Sequence, residues 1–148
     1  MFELIYEQLN MTKFSMQIVS DKVSDLLSNR KSAKILDVGC GDGLVGEALN
    51  LRGFVNIIGT DISQKMVQLA AKKNIYKEVF QADLMQPLQL DSKSFDALTC
   101  VGVTTYLEPR VIPEWCRVVA KGKVTILLHL LNICFRFLCH LHCQICCS

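Results

Sequence analysis

Ile35-Leu-Asp-Val-Gly-Cys-Gly-Asp-Gly43-Leu-Val-Gly46 is the stretch whose reading decides the fold. Lys34 to Val38 reads as a short buried strand. The glycines from Gly39 to Gly43 let the backbone turn tightly and approach a ligand, and Leu44 to Leu51 reads as a helix that stops at Gly53. A strand that passes through glycines straight into a helix N-terminus presents unpaired backbone N–H groups at one point.

Working outward, strands and helices alternate. Upstream, apolar residues at 16, 19, 23, 26 and 27 give Met16 to Leu27 helical spacing, with Ser15 as its cap. Downstream, Val55 to Thr60 is a second strand, and Ser63 can cap a helix from Gln64 to Lys73. Glu78 to Ala82 is a third strand and Phe95 to Val101 a fourth. A helix is expected from Pro109 to Val119, and a fifth strand from Val124 to Leu128 after a Lys121-Gly122-Lys123 turn. This alternation predicts an α/β fold, a mostly parallel sheet with helices on both faces joined by right-handed crossovers. Three segments follow: an N-terminal helical segment over 1–32, a core over 33–128 and a divergent hydrophobic tail over 129–148.

In open parallel sheets, ligands bind at the carboxyl ends of the strands beside the point where strand order reverses. Acids stand there in this chain. Asp37 precedes the glycine turn, Asp61 ends the second strand and Asp83 follows the third. The two oxygens of Asp61 suit the two hydroxyls of a ribose, and Asp83 can accept a hydrogen bond from an adenine amine, with Leu84 and Met85 as an apolar wall. Gly41-Asp-Gly43-Leu-Val-Gly46 also fits the dinucleotide pattern G-x-G-x-x-G. A pyrophosphate would be repelled by Asp37 and Asp42, whereas a ligand carrying a sulfonium and an ammonium would tolerate them. Three acids on three strand ends therefore favour a nucleoside without phosphates.

Ile35 to Gly43 resembles the first motif of class I S-adenosylmethionine-dependent methyltransferases. Gly59-Thr-Asp61-Ile-Ser63-Gln-Lys-Met66 is similar to that family's ribose-binding segment, Ala82-Asp83-Leu84 to its adenine-contacting turn and Phe95 to Gly102 to its fourth-strand motif. The order and spacing hold from about residue 33 to about 128. Gly43 to Leu49 with Arg52-Gly-Phe54 looks most like the methyltransferase-like proteins of the Williams-Beuren syndrome region. The resemblance implies a Rossmann-like three-layer sandwich that binds S-adenosylmethionine. It implies that Gly39, Gly41 and Gly43 line the methionine part of the cofactor, that Asp61 binds its ribose and that Ile62 and Met66 flank the adenine. Asp83 and Leu84 would contact the adenine edge, Asp37 would sit under the ammonium group, and Val101 would close the site near the sulfonium.

Methyl transfer from a sulfonium is an in-line displacement, so positioning dominates and a general base is needed only for acceptors that must lose a proton. No histidine precedes His129; Thr104, Thr105, Tyr106 and Glu108 are the acceptor-side candidates by position, and no catalytic residue is assigned. The acceptor implied is a small molecule or a protein side chain. Two other functions fit: a catalytically incomplete cofactor-binding or interaction protein, and an NAD-dependent oxidoreductase resting on Gly41 to Gly46 and Asp61. Asp96 reads as structural, Cys100 and Cys116 as small buried hydrophobes, and Trp115 as a residue packing a helix onto the sheet.

A net charge of +2 gives no electrostatic reason to expect nucleic acid or an acidic membrane as partner. The N-terminus has neither the basic start and apolar run of a signal peptide nor the arginines of a transit peptide, so the expected compartment is cytoplasm or nucleus. Of eight cysteines, five (Cys134, Cys139, Cys143, Cys146 and Cys147) crowd the tail, which describes a composition shift and not a disulfide framework. That tail has zinc-ligand atoms at no standard finger spacing, so no metal is expected. Val124 to Leu138 is apolar, but it is shorter than a span and interrupted by His129, Asn132 and Arg136, so a membrane partner is not expected. A seven-stranded family pattern that dissolves after five strands is read as a truncated or alternatively ended chain, with the fifth strand left as an edge.

Overall fold

Three buried central strands flanked by two edge strands form the sheet of the computed structural model, which describes residues 2–28, 30–103 and 107–128. Strands β1 (Ile35–Val38), β2 (Ile57–Asp61), β3 (Glu78–Gln81), β4 (Phe95–Val101) and β5 (Val119–Leu128) lie in the order β3-β2-β1-β4-β5, and every pairing is parallel. The chain builds outward from β1 to β3, then crosses back to place β4 on the other side of β1. Strand order therefore reverses between β1 and β4, and the carboxyl ends of β1, β2 and β4 open one crevice.

Side-chain alternation assigns the two faces. Ile35, Ile57, Ala97 and Val101 pack with Met16, Val19 and Val23 of helix α1 (Phe2–Leu26) and with Val45, Ala48 and Leu49 of α2 (Leu44–Leu51). Leu36, Val38, Ile58, Leu98 and Cys100 face the other way, toward Trp115 and Val118 of α4 (Ile112–Val118) and toward Leu84 and Leu88. Helix α3 (Gln64–Lys72) buries Val67 and Ala70, and Ser63 caps it by accepting the Met66 N–H at 3.4 Å. The three-layer α/β sandwich expected from the alternation is present.

Most element ends shift by one or two residues from the sequence reading, and three places differ by more. Ser15 does not cap α1; it is buried inside a helix that begins at Phe2, because no glycine or proline interrupts residues 2–14. The expected helix from Pro109 is a 3-10 turn, Pro109–Val111, followed by α4, which starts around Pro113 where a missing N–H is tolerated. Lys121 to Lys123 is not a turn but part of β5. Phe95 pairs with Val119 and Ala97 with Val124, so β5 absorbs extra residues as a bulge, which an edge strand containing Gly122 accommodates. Among the described residues, no helix is long and apolar enough to cross a membrane, and no group of His, Cys, Asp and Glu could hold a metal ion. The tail residues singled out for zinc chemistry lie outside the described residues, as does the apolar run after Leu128, whereas its first residues, Val124 to Leu128, belong to β5.

The connection from β3 to β4 is held by two side chains of α4. Glu114 accepts the Leu88 N–H at 2.7 Å, and Arg117 donates to Leu88 O at 3.0 Å, Leu90 O at 2.7 Å and Ser92 Oγ at 3.1 Å. Arg117 also binds Glu114 at 2.7 Å and, chiefly through that hydrogen bond, holds the Glu114 carboxyl below the usual range. Arg117→Ala is expected to raise hydrogen exchange at the Leu88 amide about tenfold, equivalent to ~1.4 kcal/mol of local opening energy. Unchanged protection there would mean that apolar packing alone holds the loop.

Candidate functional site

The chain leaves β1 through a turn in which Gly39, Gly41 and Gly43 all have positive φ (66°, 55° and 98°), a backbone that L side chains rarely adopt. Gly39 is constrained twice, because a Cβ there would lie 2.6 Å from Val103 Cγ2. The Cys40 N–H donates to Thr60 O at 3.0 Å, so β1 and β2 remain tied beyond the strand end. A Cβ on Gly41 would meet no atom within 4 Å, which leaves this backbone open to a ligand. Gly43 then starts α2 without a side-chain cap.

Asp61, at the end of β2, is 8% exposed and already oriented. Its Oδ2 accepts the Gly41 N–H and its Oδ1 the Ser63 N–H, both at 2.9 Å. Each oxygen keeps a further lone pair, so the carboxylate is a fixed pair of acceptors spanning the glycine turn and the start of α3. Asp83 lies exposed past β3 and accepts the Met85 N–H on Oδ1 at 2.9 Å.

These groups meet in one cavity. Gly39, Asp61, Ile62, Asp83 and Leu84 line it, as the sequence reading expected, together with Met85. Ile62 is 63% exposed, an apolar side chain presented to the cavity with little protein around it. Two residues missed by the sequence reading, Val103 and Leu107, complete the wall.

The remaining expected residues are placed elsewhere. Gly41 and Gly43 shape the turn without lining the cavity, and Met66 sits half-buried in the first turn of α3. Val101 is buried with the α1 and α2 side chains; the chain leaves β4 through Gly102 at φ 80°, so Val103 comes to lie over Gly39 instead. Glu108 pairs with Arg110 at 3.0 Å on the surface and does not line the cavity. Thr104, Thr105 and Tyr106 lie outside the described residues. Asp96 is structural: it accepts the Lys34 N–H at 2.9 Å and binds Arg30 at 2.8 Å.

Asp37 is 1% exposed and sits below the turn, outside the cavity lining. Tyr76 Oη–H donates to its Oδ2 at 2.7 Å and Thr99 Oγ1–H to its Oδ1 at 2.9 Å. Neither partner was named from sequence. Thr99 had a legible signal, a polar residue inside the apolar run of β4 in register with Asp37. Tyr76 had none, being 39 residues from the carboxylate it binds. Burial pushes the Asp37 carboxyl up to about 6, against the lowering effect of the Tyr76 and Thr99 hydrogen bonds and with a smaller upward push from the Asp61 charge.

The folded chain thus retains a proton that the unfolded chain releases between its ordinary 3.8 and about 6. Asp37 is least unfavourable below the lower value, and that benefit is lost as pH rises through the upper one. At neutral pH the buried charge costs about 3 kcal/mol. Asp37→Asn is therefore expected to stabilise the chain by ~1–3 kcal/mol at neutral pH and to give no gain at about pH 4, measured by urea unfolding. A variant less stable at both values would mean that the two hydroxyl bonds outweigh desolvation.

A family described as a methyltransferase domain matches residues 36–127. Among curated relatives, the ubiquinone biosynthesis O-methyltransferase of Coxiella burnetii is 29% identical over 100 residues, covering 64% of this chain and 42% of that protein. Human methyltransferase-like protein 27 is 40% identical over 72 residues, covering 48% and 29%. The chain spans less than half the length of these relatives. Among solved structures, an S-adenosylmethionine-dependent methyltransferase from Mesorhizobium loti superposes with a TM-score of 0.59 at 25% identity, over 65% of this chain and 46% of that one.

Proposed function

The chain belongs to the methyltransferase-domain family, and from that premise we propose that it binds S-adenosylmethionine in the crevice between the glycine turn and Asp83 and transfers a methyl group to a small-molecule or protein acceptor. The observation that carries this reading is Asp61, whose two oxygens are pinned by the Gly41 and Ser63 N–H groups while facing the cavity. A paired, pre-oriented acceptor of this kind fits a vicinal diol. The exposed side chain of Ile62 and the buried one of Leu84 flank the place of a flat purine, and Asp83 accepts from its amine. The open backbone at Gly41 takes the amino-acid end. The likeness of Gly43 to Leu49 and Arg52-Gly-Phe54 to the methyltransferase-like proteins, with 40% identity to one of them over 72 residues, supports placing the chain among them.

When bound, the sulfonium supplies an electrophilic methyl whose leaving group departs neutral. The chain's own part is to hold the nucleoside by Asp61 and Asp83, to fix the turn, and to exclude water at the far end with Val103, Met85 and Leu107. Val103, Met85 and Leu107, the described residues of that wall, are apolar, which supports positioning and exclusion of water as their contribution.

Asp61→Ala should weaken S-adenosylmethionine and S-adenosylhomocysteine at least about tenfold in calorimetry, and NAD should displace neither. Absence of heat and of competition with the intact chain would refute the cofactor assignment. Binding without turnover across a broad acceptor panel would identify a catalytically incomplete cofactor-binding protein, and NAD binding an oxidoreductase.

A further inference from the structure

We propose that Tyr76 is a positioning residue of the cofactor site, its hydroxyl joining the buried Asp37 carboxylate to the backbone of α2 so that one side chain sets both the charge beneath the glycine turn and the seat of the helix that follows it. The part concerning the cofactor rests on the reading of this crevice as an S-adenosylmethionine site.

The ring occupies a slot made by glycines from separate parts of the chain. A Cβ on Gly46 would lie 2.3 Å from Tyr76 Cζ, one on Gly59 of β2 3.0 Å from Cε1, and one on Gly43 3.0 Å from Cε2. Glycine inside a helix is ordinarily less favourable than alanine, so Gly46 in α2 calls for a local reason, and the ring against it is one. The Lys77 N–H donates to Ile57 O at 2.8 Å and anchors the segment that carries the ring.

The hydroxyl faces two ways. It accepts the Gly46 N–H at 3.2 Å and donates to Asp37 Oδ2 at 2.7 Å. Gly46 lies in the first turn of α2, where N–H groups have no partner within the helix, and Gly43 offers no side chain to cap it. Tyr76 therefore caps α2 from outside the helix. Burial, then the charge of Asp37, drive the phenol far above its ordinary value, so its proton stays on oxygen and the carboxylate remains the acceptor.

The other groups around Asp37 are Thr99 and Cys100 of β4, Cys40 of the turn and Asp61 of β2. Burial is the first cause raising both thiols, Cys40 to about 12, which leaves them neutral. Asp61 is thus the other anion acting on this carboxyl, and it opposes ionisation. The Tyr76 bond is the largest influence favouring the charged form. Without it, the carboxyl takes up its proton closer to neutral pH, and a cationic ligand above the turn loses an attraction.

The test uses the full 148-residue chain. In the free protein, carbon-13 NMR should show the Asp37 carboxyl and the Tyr76 Cζ titrating together near pH 6. Tyr76→Phe should move the Asp37 midpoint upward by about one unit. S-adenosylmethionine should bind the Phe variant about tenfold more weakly at about pH 6.5 and recover most of that loss at about pH 8.5. In an Asp37→Asn background, the same substitution should have no pH-dependent effect. A Tyr76 Cζ that ignores the Asp37 titration overturns the inference even if the Phe variant fails to fold. So does an equal loss of affinity at both pH values, which is what a merely structural ring would give. An intact chain that binds no cofactor overturns the cofactor reading separately, because the titration of the free chain still decides the Tyr76–Asp37 coupling.

Discussion

A carboxylate in the middle of β1 is shut off from the surface, and the hydroxyls of Tyr76 and Thr99 donate the hydrogen bonds that bulk water would supply. The rest of the site is arranged about that group. Thr99 comes from β4 and Asp37 from β1, the two strands between which the sheet changes direction, so the bond between them spans the reversal that opens the crevice. Tyr76 comes from the segment entering β3 and reaches across β2, passing over Gly59, which has no side chain to obstruct it. One buried acid thereby ties together segments preceding or forming three strands, along with the first turn of a helix. Such a group is unfavourable for stability and specific for geometry.

The same logic governs Asp61 one strand over, with a different outcome. Its oxygens are also engaged, but by backbone N–H groups at the rim, and it lines the cavity. Asp37 is enclosed below the turn, whereas Asp61 presents its oxygens at the cavity's side. Burial separates these roles. A carboxylate satisfied by hydroxyls in the core can act on a ligand only through its field, whereas one satisfied by amides at the surface retains lone pairs for contact.

The opposite wall depends on the other layer. Leu84 and Met85 belong to a long connection that would be mobile if it relied on its own contacts, and the α4 pair of Glu114 and Arg117 fastens it through the Leu88 and Leu90 backbone. The crevice is thus built from both faces of the sheet. α1 and α2 support the glycine turn, and α4 supports the apolar wall.

Much of this was legible along the chain. The strand, turn and helix of residues 35–51, the cap at Ser63 and β4 from Phe95 to Val101 follow from local pattern, because each depends on period, glycine placement or a side chain within a few residues. The sequence by itself also determined the acids at the strand ends and the glycines between them. Only the tertiary structure decided which of those residues face the cavity. Asp37 turned inward because Tyr76 and Thr99, distant in sequence, converge on it; Val103 took the place expected of Val101 because the strand ends at Gly102; and residues 121–123 joined β5 because an edge strand tolerates a bulge. Local pattern encodes what each residue can form with its neighbours along the chain, whereas a side chain's orientation at a site is settled by contacts that exist only once distant segments have packed.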